Sequence, residues 1–166
     1  MINEGGAVEI DGNGTLMATK SAILNKNRNP NMTQEEAEEI FTKYLGVTNF
    51  IWLNGKAGLE MPESDIKTLY AATNKSGIKY MFVKLPLTKN NVTTEYGKKL
   101  DYQGSYVNYY IANTVVLVPN YNDVNDAVAN ALIQKLYPTR KVVGIDVRNL
   151  YANGGMIHCV TQQQPK

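Results

Sequence analysis

The sequence holds a single cysteine, Cys159, a single histidine, His158, and a single tryptophan, Trp52, in 166 residues. One thiol excludes an internal disulfide framework. One histidine beside one cysteine also argues against a structural zinc site, which takes four such ligands, so no metal and no cofactor is expected. The chain lacks a charge imbalance as well: 17 basic and 15 acidic side chains give a net charge of +2, with the two signs interspersed. Neither nucleic acid nor a membrane surface is therefore an expected partner. No apolar run approaches a membrane span, and the first residues have neither a basic stretch nor an apolar core of the secretory kind. The default expectation is a cytoplasmic protein. What is present is ordinary for a globular chain, 43% hydrophobic and 19% charged residues, in a length that suits one domain with a real core.

Ala7–Ile10 and Thr15–Thr19 read as two short strands joined by Asp11-Gly12-Asn13-Gly14, since Asp-Gly and Asn-Gly tolerate the backbone of a tight hairpin. After a polar loop over Asn25–Asn31, Thr33-Gln34-Glu35-Glu36 forms a capping box. The helix that follows carries Ala37, Ile40, Phe41, Tyr44 and Leu45 on one face and stops at Gly46. Val47–Leu53 is a strand, and Asn54–Met61 a loop. Pro62–Thr73 reads as a helix ending near Gly77, Ile78–Leu85 as a strand, and Thr88–Gly104 as an irregular loop, because it is polar and without periodicity. Tyr106–Ile111 and Val115–Val118 read as a hairpin. Asp123 is expected to cap a helix carrying Val124, Ala127, Val128, Ala131, Leu132 and Leu136, ended by Pro138, and Val142–Val147 is the next strand.

The order strand, strand, helix, strand thus occurs over residues 1–53 and again over 105–147, with part of a further unit over 62–85. Lys43-Tyr44-Leu45-Gly46 before one strand corresponds to Lys135-Leu136-Tyr137-Pro138 before the other. Such repetition suggests units packed around an axis. The last stretch, residues 153–164, mounts the one thiol behind Gly154-Gly155. A glycine turn running into a short apolar segment can deliver a nucleophile to a fixed place, although a buried structural cysteine would follow the same pattern. If that stretch is extended, His158 and Cys159 point to opposite faces and cannot share a site; His158 is then expected to be a hydrogen-bonded structural residue. Trp52 is expected in the core. Tyr106 and Tyr110 should share a strand face with Asn108, and Tyr109 should lie on the other.

Gly154-Gly155-Met156-Ile157-His158-Cys159-Val160-Thr161-Gln162-Gln163-Gln164 resembles the C-terminal nucleophile segment of agmatine deiminases and the wider bacterial peptidylarginine-deiminase-like family, guanidine-modifying enzymes in which a glycine run precedes Ile-His-Cys-Ile-Thr-Gln-Gln. Glu4-Gly5-Gly6, opening the hairpin, is similar to the family's Glu-Gly-Gly segment. Leu24–Pro30, Tyr106–Asn113 and Val142–Asp146 resemble it too. The resemblance implies an α/β fold of pentein type, a propeller of five strand-strand-helix-strand units around a channel, of which this chain would supply about two and a half. It also implies agmatine, or another guanidinium compound, as substrate.

By the same resemblance Cys159 matches the nucleophile, Glu4 the acid that orients the family's catalytic histidine, and Gly154, Gly155 and Gly5 the backbone near substrate. That histidine belongs to a separate Gly-His-Val-Asp segment, for which this sequence has no counterpart; nor has it one for the family's Trp-x-Arg-Asp segment. The first glycine of the family's run is Asn153 here, and its last position is Met156. Arg28, in Asn25-Lys26-Asn27-Arg28, reads as a loop cation or part of a site. Three expectations follow: a deiminase-like hydrolase that is silent or weak alone, one part of a site completed in trans or by homo-oligomerisation, or a binding domain that kept the scaffold without the chemistry.

Overall fold

The computed structural model describes residues 1–55 and 62–162. The chain divides into two compact units, Met1–Phe82 and Val83–Lys166.

In the first unit β1 (Val8–Ile10) turns into β2 (Thr15–Thr19), antiparallel with Glu9 opposite Met17. Asp11 holds the turn: its carboxylate accepts the N–H of Asn13 at 2.7 Å and of Thr15 at 3.0 Å, and the Tyr80 hydroxyl at 3.0 Å. Burial works against the charge of Asp11, but the Thr15 and Asn13 N–H groups and the Tyr80 hydroxyl outweigh it and keep the carboxyl below its ordinary range. Gly12 and Gly14 take the left-handed backbone, with φ of 72° and 94°. A one-turn helix α1 (Lys20–Ile23) and then α2 (Gln34–Leu45) lead to β3 (Asn49–Leu53), which lies parallel to β2 with Met17 opposite Ile51.

The expected capping box is present: the Thr33 hydroxyl accepts the Glu36 N–H, and the Glu36 carboxylate accepts the Thr33 N–H. Gly46 closes α2 in the left-handed conformation. Ala37 and Phe41 pack on Leu16, Ala18, Ile23 and Val47. Tyr44 and Leu45, expected on that face, are exposed. Trp52 lies at the edge of this core, its indole N–H donating to Glu38 at 2.7 Å.

The loop expected over Asn54–Met61 falls, from residue 56 on, outside the described residues. Helix α3 (Glu63–Ala71) buries a carboxylate, Asp65, which accepts the N–H groups of Asn54 and Gly55, both at 2.8 Å. The strand expected over Ile78–Leu85 is not formed. Asn74 closes a turn on Ile78, a single bridge joins Thr73 to Lys79, and no ladder continues beyond it. Strand-forming composition needs a neighbour to pair with; without one, Ile78 is 64% and Met81 81% exposed.

In the second unit β4 (Leu87–Thr93) and β5 (Lys99–Ser105) pair antiparallel, with Asn91 opposite Gln103. Thr88–Gly104 is therefore a hairpin and not the irregular loop its composition suggests. Only every fourth residue is buried in β4, Thr88 and Val92, so the alternation that marks a half-buried strand is missing. Polar side chains support the pairing instead: the Thr88 hydroxyl accepts the Gly104 N–H at 2.8 Å, and the Gln103 amide donates to the Thr88 carbonyl at 2.6 Å.

β6 (Tyr110–Ile111), β7 (Val115–Asn120), α4 (Asp126–Leu136) and β8 (Lys141–Asp146) repeat the order of the first unit, β6–β7 antiparallel and β7–β8 parallel. The buried face of α4 is Ala129 and Ile133, whereas Val124, Val128 and Leu136 are exposed. A helix with apolar residues around much of its circumference does not reveal by periodicity which stripe turns inward. Asp123 does not cap α4. It accepts the N–H groups of Lys89, Asn90 and Asn125, and Asp126 inside the helix takes the N–H groups of Tyr121 and Asp123. No helix among the described residues is long and apolar enough to cross a membrane.

The Asn54 N–H, then that of Gly55, holds the Asp65 carboxyl below its ordinary value of 3.8 against the opposing effect of burial. A carboxylate with a lowered folded value stabilises above the unfolded value and loses that contribution as pH falls through the folded one. Asp65→Asn, which keeps one acceptor and turns an N–H₂ toward the second donor, is expected to lower the melting temperature by several degrees at pH 7, and the gap from wild type should close as pH falls below the ordinary carboxylate range. Paired thermal melts across acid pH check this.

Candidate active site around Cys159

After β8 the chain makes the one-turn helix α5 (Arg148–Tyr151) and enters the Asn153–Gly155 turn. Gly154, not Asn153, takes the left-handed backbone, with φ of 87°. Asn153 instead donates its side-chain amide to the Asn149 carbonyl at 3.0 Å. The next two residues anchor the segment. Ile157 is buried in the core of the unit, and the Met156 sulfur and the Ser105 carbonyl each lie 2.7 Å from the Tyr121 hydroxyl oxygen, whose single proton goes to one of them at a time. Tyr121 also meets Tyr106 and Tyr151 edge-on, with centroids 5.6 and 5.2 Å away.

His158–Val160 then forms a single 3₁₀ turn. The extended geometry expected for this stretch is thus not adopted, because the Cys159, Val160 and Thr161 N–H groups close locally on Met156, Ile157 and His158. At three residues per turn, successive side chains diverge by about 120°, and among the described residues the His158 imidazole makes no hydrogen bond to Cys159. It was expected to be a hydrogen-bonded structural residue. Among the described residues the bonds are to its backbone alone, the N–H to Asn108 and the carbonyl to Thr161.

With Met156 and Ile157 turned inward, Cys159 is left exposed. Gly155 lies directly against it: a Cβ at position 155 would sit 3.3 Å from the Cys159 Cβ and 3.7 Å from Sγ. The other neighbour is Asn108. Its side-chain Nδ2 donates to Sγ at 3.4 Å, and its Oδ1 accepts the His158 N–H at 2.9 Å. Alternation along the sequence puts Asn108 on the Tyr106 face and gives it no part in the site. The 51-residue separation leaves no local signal, and only the similarity of Tyr106–Asn113 to the family could have pointed there.

Glu4 and Gly5 belong to the first unit. Glu4 is 2.8 Å from Arg28, both side chains being exposed, so these two ions hold each other in an arrangement that contributes little stability. Gly5 opens a short 3₁₀ turn, with open space where a side chain would project. Among the described residues no group of three or more His, Cys, Asp or Glu side chains could hold a metal ion.

The family model of the Porphyromonas-type peptidyl-arginine deiminases matches residues 1–68 and 59–165. The chain belongs to that family. A relative from Yersinia pseudotuberculosis named "Putative agmatine deiminase" is 32% identical over 212 residues, covering 99% of this chain and 58% of its own length. One of the same name from Latilactobacillus sakei is also 32% identical, over 213 residues. Among solved structures, the agmatine deiminase of Enterococcus faecalis matches with a TM-score of 0.80 and 28% identity, over 98% of this chain and 57% of that one. A structure from Porphyromonas gingivalis named "Putative Arginine Deiminase" matches with a TM-score of 0.83 and 30% identity, over the same shares of the two chains. The fold is accordingly the pentein-like α/β propeller of this family, of which the chain matches little more than half. Because 212 positions of the Yersinia relative align with a chain of 166 residues, more than forty of them stand opposite gaps here. The two pieces of the family match meet at residues 59–68.

The Tyr121 hydroxyl ties the nucleophile turn to the core through Met156. Burial, and then the neighbouring Tyr151, push the Tyr121 hydroxyl well above its ordinary range, so it stays a neutral donor. Tyr121→Phe is expected to lower unfolding stability by about 1 kcal/mol, as for loss of one buried hydrogen bond, while far-UV circular dichroism is unchanged. Urea denaturation of the two proteins measures it.

Proposed function

We propose that this chain is an agmatine deiminase-like hydrolase domain with Cys159 as nucleophile, impaired on its own. The observation that carries the reading is the exposed thiol set on a turn that two inward-facing residues anchor, in a chain of this family. In the reaction of the family, the thiolate attacks the guanidinium carbon of agmatine and ammonia leaves. Water then hydrolyses the S-alkylthiouronium to N-carbamoylputrescine and returns the thiol. Agmatine plus water thus gives N-carbamoylputrescine plus ammonia, with no cofactor. Gly154 and Gly155 would bring backbone close to the guanidinium; by resemblance Glu4 matches the acid that orients the family's catalytic histidine, and Gly5 a backbone position near substrate.

The same step needs a base for the thiol and carboxylates for the planar cation. By resemblance these stand on the Gly-His-Val-Asp segment, which has no counterpart in this sequence, and the gap of more than forty aligned positions supports that absence. Loss of catalytic partners that act as a unit costs on the order of 10³-fold or more in rate. The gap also favours a second reading, in which a partner polypeptide or a second copy of this chain completes the site. A scaffold that binds without turnover is the outcome if neither holds.

The test is ammonia release from agmatine by the purified chain beside its Cys159→Ala variant at equal concentration. Slow turnover, at least about 10³-fold below that of a full-length relative and absent from the variant, is the expected result. Equal ammonia above the protein-free background from both proteins rejects Cys159 as nucleophile, and none from either marks the scaffold without turnover. A rate that rises faster than linearly with protein concentration marks completion by a second copy.

A further inference from the structure

The Asn108 side chain spans the His158 backbone and the Cys159 sulfur, and the two contacts are not independent. Oδ1 accepts the His158 N–H at 2.9 Å. A backbone N–H can only donate, so this bond settles which end of the amide is oxygen. Nδ2 is thereby the nearer amide atom to the sulfur, 3.4 Å away, while Oδ1 lies at 3.8 Å, within reach of the thiol proton. The closer contact is thus with a donor, and a donor favours the anionic form of the group it meets. Ionic alternatives are absent from the two stretches that meet here: residues 105–114 and 149–162 contain no Lys, Arg, Asp or Glu. Their titratable side chains are His158, Tyr106, Tyr109, Tyr110 and Tyr151. Tyr106 is bonded to Asp126, Tyr109 to Tyr137, and Tyr151 to the Gln103 carbonyl.

We propose that Asn108 is the positioning residue of the nucleophile: held by the His158 N–H, its amide presents Nδ2 to the Cys159 sulfur and stabilises that sulfur as the attacking anion. The inference rests on Cys159 being the nucleophile proposed above. Its test needs no guanidinium turnover, so the two can fail separately.

The rate of alkylation by iodoacetamide is measured against pH on the full chain. The thiolate displaces iodide and forms the thioether, and with one cysteine the signal belongs to Cys159 alone. Asn108→Asp is nearly isosteric and keeps an acceptor for the His158 N–H, but turns an anionic oxygen to the sulfur. It is expected to move the alkylation profile to higher pH and to slow the reaction at pH 7 by about tenfold, the rate equivalent of one unit of midpoint. Asn108→Ala should fall between that variant and wild type. Repeating the series with His158→Gln removes the imidazole, and the same ordering is expected. If Asn108→Asp alkylates like wild type across the pH range, the proposal is overturned and Asn108 only ties the turn to its neighbour. Should the Asp variant not fold, an unchanged profile in folded Asn108→Ala overturns it equally.

Discussion

The second unit depends on one carboxylate, that of Asp126. As the first residue of α4 it accepts the N–H groups of Tyr121 and Asp123, and its Oδ1 also takes the hydroxyl of the fully buried Tyr106 at 2.8 Å. These bonds fix where β7 ends, where α4 begins and how the Tyr106 ring lies. Tyr121, set by its bonded N–H, places its ring in a space that exists because residue 104 is glycine: a Cβ there would lie 2.7 Å from the ring. From that position its hydroxyl reaches Met156. Burial, before any effect of Asp126, pushes Tyr106 far above the ordinary phenol range, so both hydroxyls remain donors through the physiological pH range. A line of neutral donors and one carboxylate therefore runs from the start of α4 to the turn that carries Cys159.

That line explains how the family's glycine run tolerates a methionine. Met156 stands where a small residue is expected, and a large side chain in that place would be costly if it pointed outward. It points inward, where a polarizable thioether can fill an irregular gap and accept a hydrogen bond. Gly155 is left free to lie against the sulfur.

What could be read from the sequence follows the range of the interaction concerned. The Asp11–Gly14 hairpin, the Thr33 capping box and the Gly46 stop are set by residues within four positions of each other, and each is found where it was expected. The thiol's place after a glycine turn is equally local. The polar β4–β5 hairpin was not legible, because Thr88, Gly104 and Gln103 replace the apolar alternation with side-chain bonds across the pair. The inner face of α4 is not legible for the opposite reason, an excess of apolar positions. Asn108 belongs to neither kind. It meets His158 and Cys159 from 50 and 51 positions away, and nothing near it in sequence announces a role.

The Ile78–Phe82 stretch shows how a local pattern can outlast its context. Its residues are those of a strand, yet a strand is a property of a pair, and no described strand of the first unit pairs with it. The family match breaks at residues 59–68, between β3 and this stretch, which is where more than forty aligned positions of a relative can be accommodated. Helix α3, just after the break, turns a carboxylate inward rather than an apolar face: Asp65 is its buried residue, while Ile66 and Tyr70 are 40% and 52% exposed. A helix and a stretch of strand-like composition that in a complete unit would cover a sheet therefore stand with apolar side chains toward solvent. The two buried N–H bonds from Asn54 and Gly55 to Asp65 are what keep α3 against the end of β3. Polar contacts hold the helix in place where the usual apolar cover is missing.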